Sequence, residues 1–101
     1  MSKVIFNVSY EIDPSKRKEF IESMKEYKSL IAGDGIQSYD LYEEKGKPNH
    51  FQELFVFASE ESYDNFDDAD NDRLNILVSK LEGMKVNKTT KLRTLHQVSL
   101  D

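Results

Sequence analysis

The stretch His50-Phe51-Gln52-Glu53-Leu54-Phe55-Val56-Phe57-Ala58 decides the fold. Its residues alternate, so it reads as a strand. Phe51, Phe55 and Phe57 point one way, and Leu54 and Val56 point the other. A strand apolar on both faces needs cover on both. Helices can supply one side. A chain of 101 residues has little left for the other, so this strand predicts a partner subunit.

Working outward, Lys45–Asn49 contains Gly46 and Pro48 and reads as a short hairpin turn. It leads back to a strand over Ile36–Glu44, in which Tyr39 and Leu41 share a face and Tyr42 lies opposite. Gly33-Asp34-Gly35 predicts a helix end upstream of that strand. Phe20, Met24, Tyr27 and Ile31 fall on one helical stripe. Asp13-Pro14 suits the helix start, with Asp13 as the cap and Pro14 in the first position. The first strand, Lys3–Ile12, places Val4, Phe6, Val8, Tyr10 and Ile12 on one face. Downstream, Ser59 opens a short helix with Tyr63 and Phe66 on its buried side. Leu74, Leu77, Val78 and Leu81 mark a further helix that Gly83 stops. The last strand, Asn87–Ser99, alternates imperfectly, with Leu92 and Leu95 on opposite faces. That irregularity fits either a bulge or an edge strand that changes contacts. The order β-α-β-β-α-α-β predicts a ferredoxin-like α+β fold, an antiparallel sheet with helices on one face. Its uncovered face predicts a homodimer whose two sheets pack together.

The length fits one domain spanning residues 1–101. The absence of cysteine excludes disulfides, thiol nucleophiles, iron–sulfur clusters and Cys-ligated zinc. A net charge of −5 argues against nucleic-acid binding. Met1–Phe6 runs straight into the strand pattern, and no apolar run reaches signal-peptide or membrane length. The expectation is a cytoplasmic protein without membrane association. His50 and His96 are the only histidines and have no paired ligand spacing, so no metal is expected.

Three stretches resemble the antibiotic biosynthesis monooxygenase (ABM) superfamily of dimeric α+β barrels. They are Tyr10–Phe20, Gly35–Tyr42 with its glycine and tyrosine, and Glu53–Tyr63, where that family usually carries a tryptophan near Phe57. The resemblance runs from Val4 to about Val98 and implies the dimeric barrel more specifically than any reaction. Members include oxygenases that convert phenolic or anthrone-like substrates to quinones without metal or flavin. Others degrade heme. The heme-degrading branch relies on an asparagine, a tryptophan and a histidine where this chain has Val8, Phe66 and about Ile76, which disfavours heme as a ligand.

The resemblance to the cofactor-independent branch implies a pocket between sheet and helices, a base and hydroxyl donors. It assigns catalytic positions to Tyr10, His50 and Tyr63, and substrate contacts to Val8, Tyr27, Tyr39 and Phe66. It implies no cofactor and a small apolar or aromatic partner. Each candidate also has a plain structural reading. The tyrosines can be core and rim packing, and His50 and His96 can be strand-end or surface residues. The alternative function is a non-catalytic dimer that binds a small molecule, or one whose pocket is filled by Phe6, Phe55, Phe57 and Phe66. A cavity of ~300 Å3 or more would exclude the filled pocket.

Other patterns fail on chemistry. Asp68, Asp70 and Asp72 have the spacing that opens a calcium loop, but Arg73 and Ser79 stand where it needs glycine and glutamate. Asp70, Asn71 or Asp72 is better read as a helix cap. Gly33-Asp34-Gly35 runs from helix to strand, the reverse of a phosphate loop. Glu43 and Glu44 are adjacent in a strand and point apart.

Overall fold

A computed structural model of the chain describes residues 2–31, 35–66 and 72–100. The expected helix stop at Gly33-Asp34, the acidic residues Asp67, Asp68 and Asp70, and a cap at Asn71 lie outside the described residues. The elements are β1 (Val4–Glu11), α1 (Arg17–Ile31), β2 (Ile36–Glu43), β3 (His50–Phe57), α2 (Glu60–Asp64), α3 (Asp72–Glu82) and β4 (Lys91–His96). The four strands form one antiparallel sheet in the order β2-β3-β1-β4. This is the ferredoxin-like α+β arrangement that the element order predicts.

Local chemistry sets the element ends. The Asp13 carboxylate accepts the Ser15 N–H at 3.0 Å, and Pro14 begins a single 3-10 turn that runs into α1. Ser59 caps α2 by accepting the Ser62 N–H at 3.1 Å. Gly35 starts β2 with φ of +79°, and a Cβ there would meet the Ser62 Cβ at 3.0 Å. Glycine is therefore needed for both backbone and space.

The β2–β3 hairpin is tied by side chains. Asn49 sits in the left-handed region at φ 67°, which asparagine tolerates better than most residues. Glu43 accepts the Asn49 N–H at 2.7 Å and two bonds from the Arg17 guanidinium, at 2.5 and 3.0 Å. The Arg17 and Asn49 bonds hold the Glu43 carboxyl down at about 2, against 4.5 ordinarily. A carboxyl depressed in the folded state stabilises it above the ordinary value, and that contribution is lost as pH falls through about 2. Glu43→Gln is therefore expected to flatten the dependence of Tm on pH between about 4.5 and 2. A slope equal to that of the wild type would show that the hairpin tie does not stabilise the fold.

The core lies between the sheet and helices α1 and α3. From the sheet come Val4, Val8, Phe51, Phe55 and Phe57. From α1 come Phe20, Met24 and Tyr27, and from α3 Leu74, Leu77 and Leu81. Two expectations about the strands need correction. β4 covers Lys91–His96 rather than Asn87–Ser99, because Lys88 turns at φ 65° and the Thr89 hydroxyl accepts the Glu11 N–H at 3.1 Å in place of a ladder bond. The pairing of β4 with β1 is unbroken from Val4↔His96 to Ser9↔Lys91. The sheet's register shift lies in β2 instead, between Ile36 and Ser38. Leu92 and Leu95 thus belong to a regular edge strand that serves both faces. Leu92 pairs with Val8 on the helix side, and Leu95 with Ile5 on the other.

Among the described residues, the second face carries no helix. Across it, Leu95, Ile5 and Val56 form a cross-strand row, and Leu54 lies beside it opposite Asn7. No helix among the described residues is long and apolar enough to cross a membrane.

Candidate functional site

A cavity of about 160 Å3 opens between the helix side of the sheet and the helices. Strands β1 and β3 contribute alternate residues to it, as period two requires. Phe6, Val8 and Tyr10 come from β1, and Glu53 and Phe55 from β3. Tyr27 of α1 and Val78 and Leu81 of α3 form the opposite wall. Phe66, which follows α2, and Leu92 of β4 complete the apolar lining. Lys85 and Glu82 supply the charged groups at the α3 end.

Glu53 is the one buried carboxylate among the described residues, 7% exposed. The Tyr39 hydroxyl donates to it at 2.6 Å, and the Tyr10 hydroxyl is also directed at it. Burial pushes the Glu53 carboxyl above its ordinary range, and the two tyrosines and Lys85 offset part of that shift. Both phenols are pushed well above theirs, first by burial and then by the adjacent carboxylate. They remain neutral donors. The Lys85 ammonium lies 4.2 Å from the centre of the Tyr10 ring and 2.8 Å from a Glu82 oxygen. Its side chain is only 11% exposed. A cation over a ring face, pinned by a carboxylate, is a fixed positive charge at the rim of an apolar cavity.

Of the residues singled out in the sequence, Val8, Tyr10, Tyr27 and Phe66 line this cavity. Tyr39 reaches it through Glu53. Tyr63 does not line it. Its ring packs on Phe57 and Phe6, and its hydroxyl lies 3.1 Å from the Thr94 hydroxyl. His50 does not line this cavity, although it and Tyr10 both border a polar groove elsewhere on the sheet. It pairs with Glu11 in the β1–β3 ladder, so it lies on the other face of the sheet. There its Nε2 is 3.6 Å from Glu11, in a polar groove shared with Ser9, Gln52 and Arg93. Strand alternation makes this separation unavoidable, because His50 and Phe51 are neighbours and Phe51 faces the helices. Glu53, Lys85 and Glu82 were missed. The signal for Glu53 was legible in principle: a lone charge in phase with Phe51, Phe55 and Phe57. Lys85 follows the turn that ends α3 and carried no comparable pattern.

The sequence matches the description of antibiotic biosynthesis monooxygenases over residues 3–71. The chain belongs to the antibiotic biosynthesis monooxygenase family. Solved structures carry the same fold at low sequence identity. A conserved protein from Methanosarcina mazei Go1 is 20% identical at TM-score 0.78, with 94% of this chain and 92% of that one covered. An antibiotic biosynthesis monooxygenase-type protein from Caulobacter crescentus CB15 is 15% identical at TM-score 0.80, covering 97% and 92%. SnoaB, a cofactor-independent oxygenase from Streptomyces nogalater, is 12% identical at TM-score 0.70, covering 98% and 94%. No curated protein matches the chain. No histidine lines this cavity, and Ile76 is 72% exposed on α3.

Proposed function

We propose that this ABM-family protein is a homodimeric, cofactor-independent monooxygenase acting on a small phenol-like aromatic. The observation that carries the reading is the aromatic and aliphatic cavity with a tyrosine-held carboxylate in its wall. Its volume of about 160 Å3 is close to the ~150 Å3 of an apolar cavity that holds one benzene ring. That volume matches a single aromatic ring. The same volume falls short of the ~300 Å3 that would exclude a pocket filled by its own aromatics. The balance of such a reaction is simple. A deprotonated phenol gives electrons to dioxygen, one oxygen atom enters the ring to give a quinone, and the other leaves as water.

Val8, Tyr27 and Phe66 are the proposed substrate contacts, with Tyr10 and Tyr39 acting through Glu53. Tyr63 has a supporting place behind Phe6, and His50 has none in this pocket. The homodimer would cover the helix-free sheet face. Oxygen uptake with single-ring phenols and hydroquinones, in the presence of a metal chelator, tests the reaction. Tyr10→Phe is expected to slow that uptake at least about tenfold, since it removes a donor from the pocket carboxylate. Uptake near that of the wild type would remove Tyr10 from the site. Saturable binding of phenols without oxygen uptake would instead support the non-catalytic ligand-binding dimer.

A further inference from the structure

Glu53 is hard to explain by stability alone. A buried carboxylate pays a large desolvation penalty, and replacing buried charge with apolar side chains is often neutral or stabilising. Its neighbours Phe51, Phe55 and Phe57 show that the position suits an apolar residue. Its own partners are neutral donors rather than a cation. Lys85, whose charge acts on it, is hydrogen-bonded to Glu82 instead. A carboxylate has about four acceptor sites, and the Tyr39 and Tyr10 hydroxyls take two of them. Glu53 is also one of the residues that line the cavity.

We propose that Glu53 is the proton acceptor of this pocket, held by Tyr10 and Tyr39, and that Lys85 balances the charge left on the substrate. This rests on the reading of the pocket as a phenol site. The hydroxyl O–H bond of the bound phenol breaks and a new O–H bond forms on the Glu53 carboxylate. The product is a phenolate beside the Lys85 ammonium, with no electron yet transferred. Dioxygen then accepts electrons from the phenolate. The groups that face Glu53 from the surrounding elements are Tyr10 of β1, Tyr39 of β2, Tyr27 of α1, Glu82 of α3 and Lys85. Burial and Glu82 push its carboxyl up, and Tyr39, Tyr10 and Lys85 pull it down. Tyr10 and Tyr39 are positioning residues, since they act through Glu53.

The test combines binding and turnover. The binding probe is 4-fluorophenol, which stays neutral between pH 4 and 8, followed by fluorine NMR (approximate range, set by ordinary phenol acidity). Its affinity for the wild type is expected to fall about tenfold as the pH drops through the titration of Glu53, because the acceptor becomes protonated. Glu53→Gln should bind the probe with an affinity independent of pH, and its oxygen uptake should drop at least about a hundredfold. Tyr39→Phe keeps the carboxylate but removes a donor to its charged form. It should therefore move the acidic limb of binding to higher pH, and it guards against a Glu53→Gln protein that does not fold. Oxygen uptake by Glu53→Gln within about threefold of the wild type would overturn the proposal while the phenol pocket stands. So would a binding limb that Tyr39→Phe leaves unmoved. If the wild type binds no 4-fluorophenol, the pocket reading fails and the proposal falls with it.

Discussion

Phe20→Ala is expected to remove about 3–5 kcal/mol of stability, among the largest effects of any single substitution in this chain. Phe20 is fully buried. Its ring lies 4.8 Å from the ring of Phe51 and 5.9 Å from that of Tyr10, the latter edge-on. It therefore joins α1 to both central strands of the sheet. Truncation loses the transfer energy of the ring and leaves a cavity as well. Collapse is limited, because β1 and β3 are locked to each other from Val4↔Phe57 to Glu11↔His50. Against a total stability of roughly 5–15 kcal/mol, this loss brings the domain near unfolding. Urea titration at fixed protein concentration should show the midpoint falling by roughly 2 M with an unchanged slope. A loss below about 1 kcal/mol would mean that the helix–sheet contact is not the principal core.

Val56→Lys is expected to convert the proposed dimer to a monomer. Val56 lies on the helix-free face, between β2 and β1, with Ile5 as its β1 partner and Leu95 beyond it on β4. An ammonium in that row would be buried against a second apolar sheet without a partner, at a penalty of several kcal/mol. In the isolated chain the same lysine would reach water and cost little. Light scattering on a size-exclusion column at micromolar concentration distinguishes the two states. The wild type should run at twice the chain mass and the variant at one. A wild type that is monomeric, or a variant that remains dimeric, would show that this face is not the interface.

The order of elements was legible because each one carries its own periodicity. β1 alternates from Val4 to Tyr10, α1 repeats Phe20, Met24, Tyr27 and Ile31 along one stripe, and α3 does the same with Leu74, Leu77 and Leu81. Punctuation was equally local. Asp13-Pro14, Ser59 and Gly35 act on backbone groups within a few residues of themselves. The end of β4 was less legible. The Thr89 side chain replaces a ladder bond to Glu11, 78 residues away in sequence, and no pattern along the strand announces it.

The family resemblance and the ferredoxin-like order came from the sequence by itself, because hydrophobic period and turn chemistry are short-range properties. It also put Val8 and Tyr10 on one face of β1, which the resemblance turned toward the helices, and Tyr27 on the buried stripe of α1. Only the tertiary structure decided which polar groups meet. His50 was an attractive base as an isolated residue, yet strand alternation puts it on the far side of the sheet from Tyr10. Glu53 was unremarked in its strand until Tyr10 from β1 and Tyr39 from β2 closed around it. Lys85 became part of the same site only when the chain beyond α3 returned to bridge Ile12 and set its ammonium over the Tyr10 ring. The chemistry of a buried carboxylate depends on its desolvation and its donors. Those are supplied by residues distant in sequence, so they exist only once the chain is folded.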